Sequence, residues 1–198
     1  MIAGGALNIA LWPIYTSVHG PGSVDMQGEV LGRGTLFWGS MMEGPSGLLI
    51  ALGLAGSYGR LTGRAGRMAR VGYVLTMIGV VIPAVVNLAI LAVIPPLLAP
   101  LFGTGLILMA VANRRTSSLT RFSRLLLWGL GVVLFWSVLW LVVVRPDMLD
   151  QIDGYRIYGA VADVLFGLGW ILFGASLVAW GRITAAPRRP GGVLKARA

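Results

Sequence analysis

The sequence predicts an all-α integral membrane bundle of six transmembrane helices arranged as three hairpins. Three observations predict it. Of the 198 residues, 57% are apolar and 12% charged, whereas soluble domains carry about 45–50% and about 25%. The apolar residues gather into six runs, most of them near the roughly 20 residues that cross a bilayer. The basic residues collect between alternate runs. Together with a mean hydropathy of +0.83, these features exclude a soluble globular domain, a disordered chain and a coiled coil.

The first span is expected at residues 2–18. It lacks the charged start and the small-residue cleavage site of a secretory signal, so it reads as a retained helix, with a start site placed a few residues late as the alternative. The second span is expected at 36–58, the third at 71–94 and the fourth at 97–112. Pro95 and Pro96 alone separate the third from the fourth. Read as one helix the two would be too long for a bilayer, so a prolyl turn between two helices is the better reading. The fifth span is expected at 125–144 and the sixth at 158–180, within a transmembrane domain over 1–182. A basic tail over 183–198 follows.

The net charge of +9 acts as a topology signal. Arg60, Arg64, Arg67 and Arg70 follow the second span; Arg114, Arg115, Arg121 and Arg124 follow the fourth; Arg182, Arg188, Arg189, Lys195 and Arg197 follow the sixth. These are 13 of the 16 basic residues. The positive-inside rule then puts both termini in the cytoplasm of a bacterial inner membrane. Asp25, Glu29, Asp147, Asp150 and Asp153 fall in the opposite, outer loops. The expected partners are the lipid bilayer, with anionic headgroups at the cytoplasmic arginines, and a second copy or another membrane protein. Nucleic acid is not expected.

Composition removes several chemistries. There are no cysteines and one histidine, His19, so thiolate metal sites and cysteine nucleophiles are excluded. No metal and no cofactor is expected. The lone lysine, Lys195, lies in the tail, which excludes a Schiff base on a membrane helix. No Ser-Lys or Ser-His pair sits at matching depth in two spans, so a membrane enzyme is the weakest of the readings. Asp147, Asp150 and Asp153 do not follow the alternation of a calcium loop and read as solvated. Trp38, Trp140 and Trp180, near span ends, read as interfacial anchors, and Trp136 with Trp140 as a packed or lipid-anchoring face.

An internal repeat is present. Leu101-Phe-Gly-Thr-Gly-Leu-Ile-Leu108 matches Leu165-Phe-Gly-Leu-Gly-Trp-Ile-Leu172 at six of eight positions. The second, fourth and sixth spans therefore read as related.

Two acids fall inside spans, and an intramembrane acid is by default a functional candidate. Glu43 lies between Gly39 and Gly47, and Asp163 between Gly159 and Gly167, each at four-residue spacing. That spacing puts each set on one helix face, and glycine faces are where membrane helices approach closely. Gly39, Gly47, Gly159 and Gly167 are thus expected in packing, with both carboxyls pointing into the bundle about 8–10 Å below the outer surface. Helix four has Pro95, Ala99 and Gly103 in the corresponding places. Two carboxyls buried together can bind a proton or a cationic solute. The alternatives are that Glu43 stands near a helix entry marked by Pro45, and that Asp163 pairs with Arg156 or Arg145. Asn87, in the outer half of the third span, is placed to bond a carboxylate, and Asn8 is a further polar candidate. Pro83 is expected to kink its helix or free a carbonyl.

The stretches Leu52-Gly-Leu-Ala-Gly-Ser-Tyr-Gly-Arg60, Gly63-Arg-Ala-Gly-Arg67, His19-Gly-Pro21 and Leu165-Phe-Gly-Leu-Gly-Trp170 resemble those of small six-helix membrane proteins from GC-rich bacteria. The resemblance implies the topology and carries no catalytic or binding residue with it. The function read from these residues is an accessory or structural multi-pass membrane protein. The alternative is a small proton- or cation-coupled transporter using Glu43 and Asp163.

Overall fold

The computed structural model describes residues 1–18, 29–91, 97–139 and 163–185. The described residues hold seven α-helices: α1 (Ile2–Val18), α2 (Thr35–Gly56), α3 (Tyr58–Thr62), α4 (Gly66–Ile90), α5 (Ala99–Ala112), α6 (Arg121–Leu139) and α7 (Leu165–Ala185). A 3-10 turn, Asn113–Arg115, follows α5. The only β pairing among the described residues is an isolated bridge between Val30 and Arg33. The chain is all-α.

Local chemistry sets the boundaries. Ser57 leaves helical geometry between α2 and α3, and its hydroxyl donates to the Gly53 carbonyl at 2.9 Å. The expected second span therefore ends at Gly56, with α3 as a separate turn. α4 opens at Gly66, five residues before the expected start at 71, and takes Arg67 and Arg70 into its first turns. Both guanidiniums are exposed: a long cationic side chain keeps its head in water while its stem lies along the helix. α4 stops where Leu91 turns left-handed, at φ 49°. α6 likewise opens early, at Arg121, behind Thr120, whose Oγ1 accepts the Ser123 backbone N–H at 3.0 Å as a helix cap. The Pro95–Pro96 turn, His19, the outer aspartates 147–153, Gly159, Trp140 and the basic tail lie outside the described residues.

Six long helices neighbour one another in chain order, and the last returns to the first. α1 packs on α2, α2 on α4, α4 on α5, α5 on α6, α6 on α7, and α7 on α1. Several crossings are made backbone to backbone. A Cβ built on Gly167 would lie 2.8 Å from the Gly5 carbonyl oxygen, and one on Gly103 would lie 2.5 Å from that of Gly131. Gly72 and Gly105 meet in the same way. Glycine faces of this kind let helices gain close contacts that side chains would prevent.

The interior is filled by large side chains from α5 and α7. The Trp170 ring, fully buried, stacks on Phe102 with centroids 5.9 Å apart, and Phe166 stands edge-on to both. Leu106, Met109, Leu127, Phe173 and Ile50 continue this core. The outside is apolar as well. On α4, Val71, Val74, Ile78, Ile82 and Val85 form an exposed stripe at helical spacing. Gly66–Ile90 is the one described helix long and apolar enough to cross a membrane; Ile2–Val18 and Leu165–Gly181 are apolar but shorter.

Candidate functional site: a carboxylate pair with two asparagines

The site is assembled from α1, α2, α4 and the start of α7. α2 carries Glu43, partly buried, on a stretch where Gly44 faces the Leu88 side chain and Gly47 faces Ala84. These close contacts fix the register of α2 against α4. They bring Asn87, fully buried, to Glu43: its Nδ2 donates to Glu43 Oε2 at 2.7 Å. Asp163 lies in a π-type turn leading into α7. It stands one turn before Gly167, which meets Gly5, and Glu43 stands three residues before Ser46, which bonds Gly4; both acids are thus on the same side of these crossings. The three residues singled out from sequence as binding candidates, Glu43, Asp163 and Asn87, thus share one locality.

Asn8 joins them by register. Ser46 on α2 donates to the Gly4 carbonyl at 2.9 Å, and Gly167 on α7 meets Gly5. One helical turn further along α1 from Gly4 and Gly5 stands Asn8. One turn back along the antiparallel α2 and α7 stand Glu43 and Asp163. Asn8 is buried, and its Oδ1 has no hydrogen-bond partner among the described residues; the same holds for Nε1 of Trp12, four residues on along the same face of α1. A buried acceptor and a buried donor left unpaired are costly, on the order of 1–3 kcal/mol each, and such atoms commonly serve a bound polar species. Trp12 was not a candidate from sequence. Its four-residue spacing from Asn8 was the available signal.

Pro45 adds a further acceptor. It has no N–H to give the carbonyl of Met41, one turn before it in α2. It also settles one of the sequence alternatives. α2 begins at Thr35, so Pro45 lies well inside the helix and does not mark a helix entry beside Glu43. Pro83 is likewise enclosed in an unbroken α4. Of the packing glycines, Gly47 and Gly167 stand at the crossings just described, and Gly39 is buried. Arg145 and Arg156, the alternative partners of Asp163, lie outside the described residues.

Chemically, the site offers two carboxyls, an amide oxygen without a partner and a freed main-chain carbonyl. This is an acceptor-rich set. Acceptors of this kind can take up a proton or a small cation. Among the described residues no group of three or more His, Cys, Asp and Glu could hold a metal ion. Compared with family models, curated proteins and solved structures, the chain matches none of them.

The opposite end of the bundle is built differently. Arg60 on α3 crosses to α7, where its Nη1 donates to the Leu177 carbonyl at 2.6 Å. Asn113, fully buried, donates to the carbonyls of Leu61 at 2.8 Å and Met109 at 3.0 Å. Arg124 donates from Nη1 to the carbonyls of Asn113 at 3.1 Å and Arg114 at 2.6 Å. Here side chains tie helix ends to one another through main-chain acceptors.

Proposed function

We propose that the chain is a six-span inner-membrane protein, with both termini cytoplasmic, that binds and carries a proton or a small cation at Glu43 and Asp163. The observation that carries this reading is the hydrogen bond from Asn87 to Glu43, with Asp163 placed by helix register at the same end of the bundle. A single acid can be a packing accident. Two acids from different helices, with a buried amide bonded to one of them, support a binding site better than a single acid would.

The membrane setting is supported by the exposed apolar stripe of α4 and by exposed Leu52, Leu168, Leu172 and Val178 on α2 and α7. Lipid tails solvate such faces. Glycine crossings support it too, because helices in lipid associate through close packing and not through hydrophobic expulsion. With the arginines at the cytoplasmic face, the carboxyls face the outer side. A cation bound there replaces protons on the carboxyls, so binding releases protons and weakens as the pH falls.

The test is charge movement in proteoliposomes holding the purified full-length chain. Concentration jumps of Na⁺, K⁺ and tetramethylammonium, and a pH jump, are applied in turn. The expected result is a transient current for at least one jump, lost in E43Q/D163N while the far-ultraviolet circular dichroism is unchanged. No current for any of them from the folded wild-type chain would overturn the carrier reading and leave the accessory one. Release of the chain from vesicles by a carbonate wash would overturn the membrane reading.

A further inference from the structure

We infer that the groove between α5 and α6 at the arginine end is a binding site for the headgroup of an anionic phospholipid. This rests on the membrane reading above and is independent of the carboxylate site. The groove has a volume of about 410 Å³ and is lined by Ala110, Arg114, Arg121, Arg124, Leu125 and Trp128. It thus joins three guanidiniums to an apolar wall. Leu125 and Trp128 are 58% and 45% exposed, which leaves that wall open to an acyl chain descending from a headgroup held by the arginines.

Charge favours an anionic partner here. No acidic residue occurs anywhere between Glu43 and Asp147, while nine arginines do. Three cations drawn around one groove repel one another unless an anion sits among them. One of the three arginines is tied down. Arg124 is held by the carbonyls of Asn113 and Arg114, and both bonds use Nη1 alone. A guanidinium has five N–H donors, so those of Nη2 and Nε are left over for a phosphate. Asn113, which anchors the turn, is itself tied to Leu61 and Met109. The start of α6 stands at Arg121, and its helix dipole adds positive potential at the same place.

The stacking order fits a lipid better than a free phosphate. The arginines stand at the helix ends, and Leu125 and Trp128 follow one and two turns further into α6. This is the order of a phosphodiester and its acyl chain in a leaflet, with the arginines at headgroup depth and the aromatic ring below them.

The full-length chain, stripped of lipid in detergent, is titrated with phosphatidylglycerol or phosphatidylcholine and read by native mass spectrometry. R114Q/R121Q is compared with R67Q/R70Q, which removes two exposed arginines of the same end outside the groove. The expected loss of phosphatidylglycerol affinity is about 10- to 30-fold for the first pair and less than about twofold for the second, with phosphatidylcholine bound far more weakly throughout. Equal losses in the two pairs would mean a diffuse field and overturn the site, as would no loss in the first. Displacement of the lipid by millimolar inorganic phosphate would replace the lipid with a soluble anion and overturn the assignment. A second readout does not depend on arginine variants: phosphatidylglycerol brominated on its acyl chain should quench the wild type more than W128F, and equal quenching would overturn the acyl wall. If the chain is retained by vesicles after carbonate washing yet fails these tests, the groove is rejected and the membrane reading stands.

Discussion

The segments Leu101–Leu108 in α5 and Leu165–Leu172 in α7 share a repeat, and the structure uses their shared residues in parallel ways. Gly103 faces Gly131 on the next helix in the ring, and Gly167 faces Gly5 on its own next helix, α1. Gly105 faces Gly72 and Thr76 on the preceding helix, and Gly169 faces Leu130 on its preceding helix. Phe102 and Phe166 meet edge to face. α2 follows the first half of the pattern, with Gly47 facing Ala84 on α4. The arms differ four residues earlier, where α2 has Glu43, α7 is preceded by Asp163, and α5 has Ala99. The same crossing is therefore made with and without an acid. The glycine crossing itself does not require a carboxyl, and in α2 Glu43 adds the bond from Asn87 across to α4.

That comparison can be broken in several ways. The largest effect is expected from leucine at the shared glycine. Both Gly103→Leu and Gly167→Leu put a branched side chain against a carbonyl, at the upper end of the roughly 1–3 kcal/mol that overpacking costs, or beyond it. Unfolding in a titrated denaturing detergent measures this, and a large difference between the two variants would show that the crossings are not equivalent. Next comes Asn87→Leu, expected to cost about 1.5–3 kcal/mol because a carboxylate loses its donor. In the background of Glu43→Leu, with both partners apolar, the same change should cost far less; a double-mutant cycle that adds simply would mean the bond is idle. Asp163→Ala, which makes α7 resemble α5, is expected to leave stability unchanged or raise it slightly, since it removes the cost of desolvating a carboxyl. A clear loss of stability would assign Asp163 a structural partner. The smallest effect is expected at Gly56, where an added Cβ meets nothing within 4 Å. Gly56→Ala should gain only a few tenths of a kcal/mol, because Gly56 ends α2 and the roughly 1 kcal/mol of a helix interior does not apply there.

Much of the helical layout was legible. Hydropathy marks where an apolar run lies, and each described helix overlaps an expected run or extends from its end. It misses the ends, because arginines such as Arg67 and Arg121 ride on helices while their charges sit in water. The repeat and the four-residue glycine spacing pointed to Gly47 and Gly167. Asn87 and Glu43 could be named from depth, but their 2.7 Å bond depends on the crossing of α2 and α4. The link from Arg60 to the Leu177 carbonyl was not legible, since the acceptor is main chain and carries no sequence signal. Nor was the convergence of Arg114, Arg121 and Arg124 on one groove, which the buried Asn113 anchors by turning the chain between α5 and α6.

The Trp170 ring gives the protein an optical label of its own. It is fully buried and sandwiched among Phe102, Phe166 and Phe173 at centroid distances of 5.9 Å. Its emission should be blue-shifted and out of reach of aqueous quenchers, whereas exposed Trp128 answers to the lipid around it. Because the stack joins α5 to α7, any sliding of one helix against the other changes the colour of the bundle from within, with no foreign dye attached.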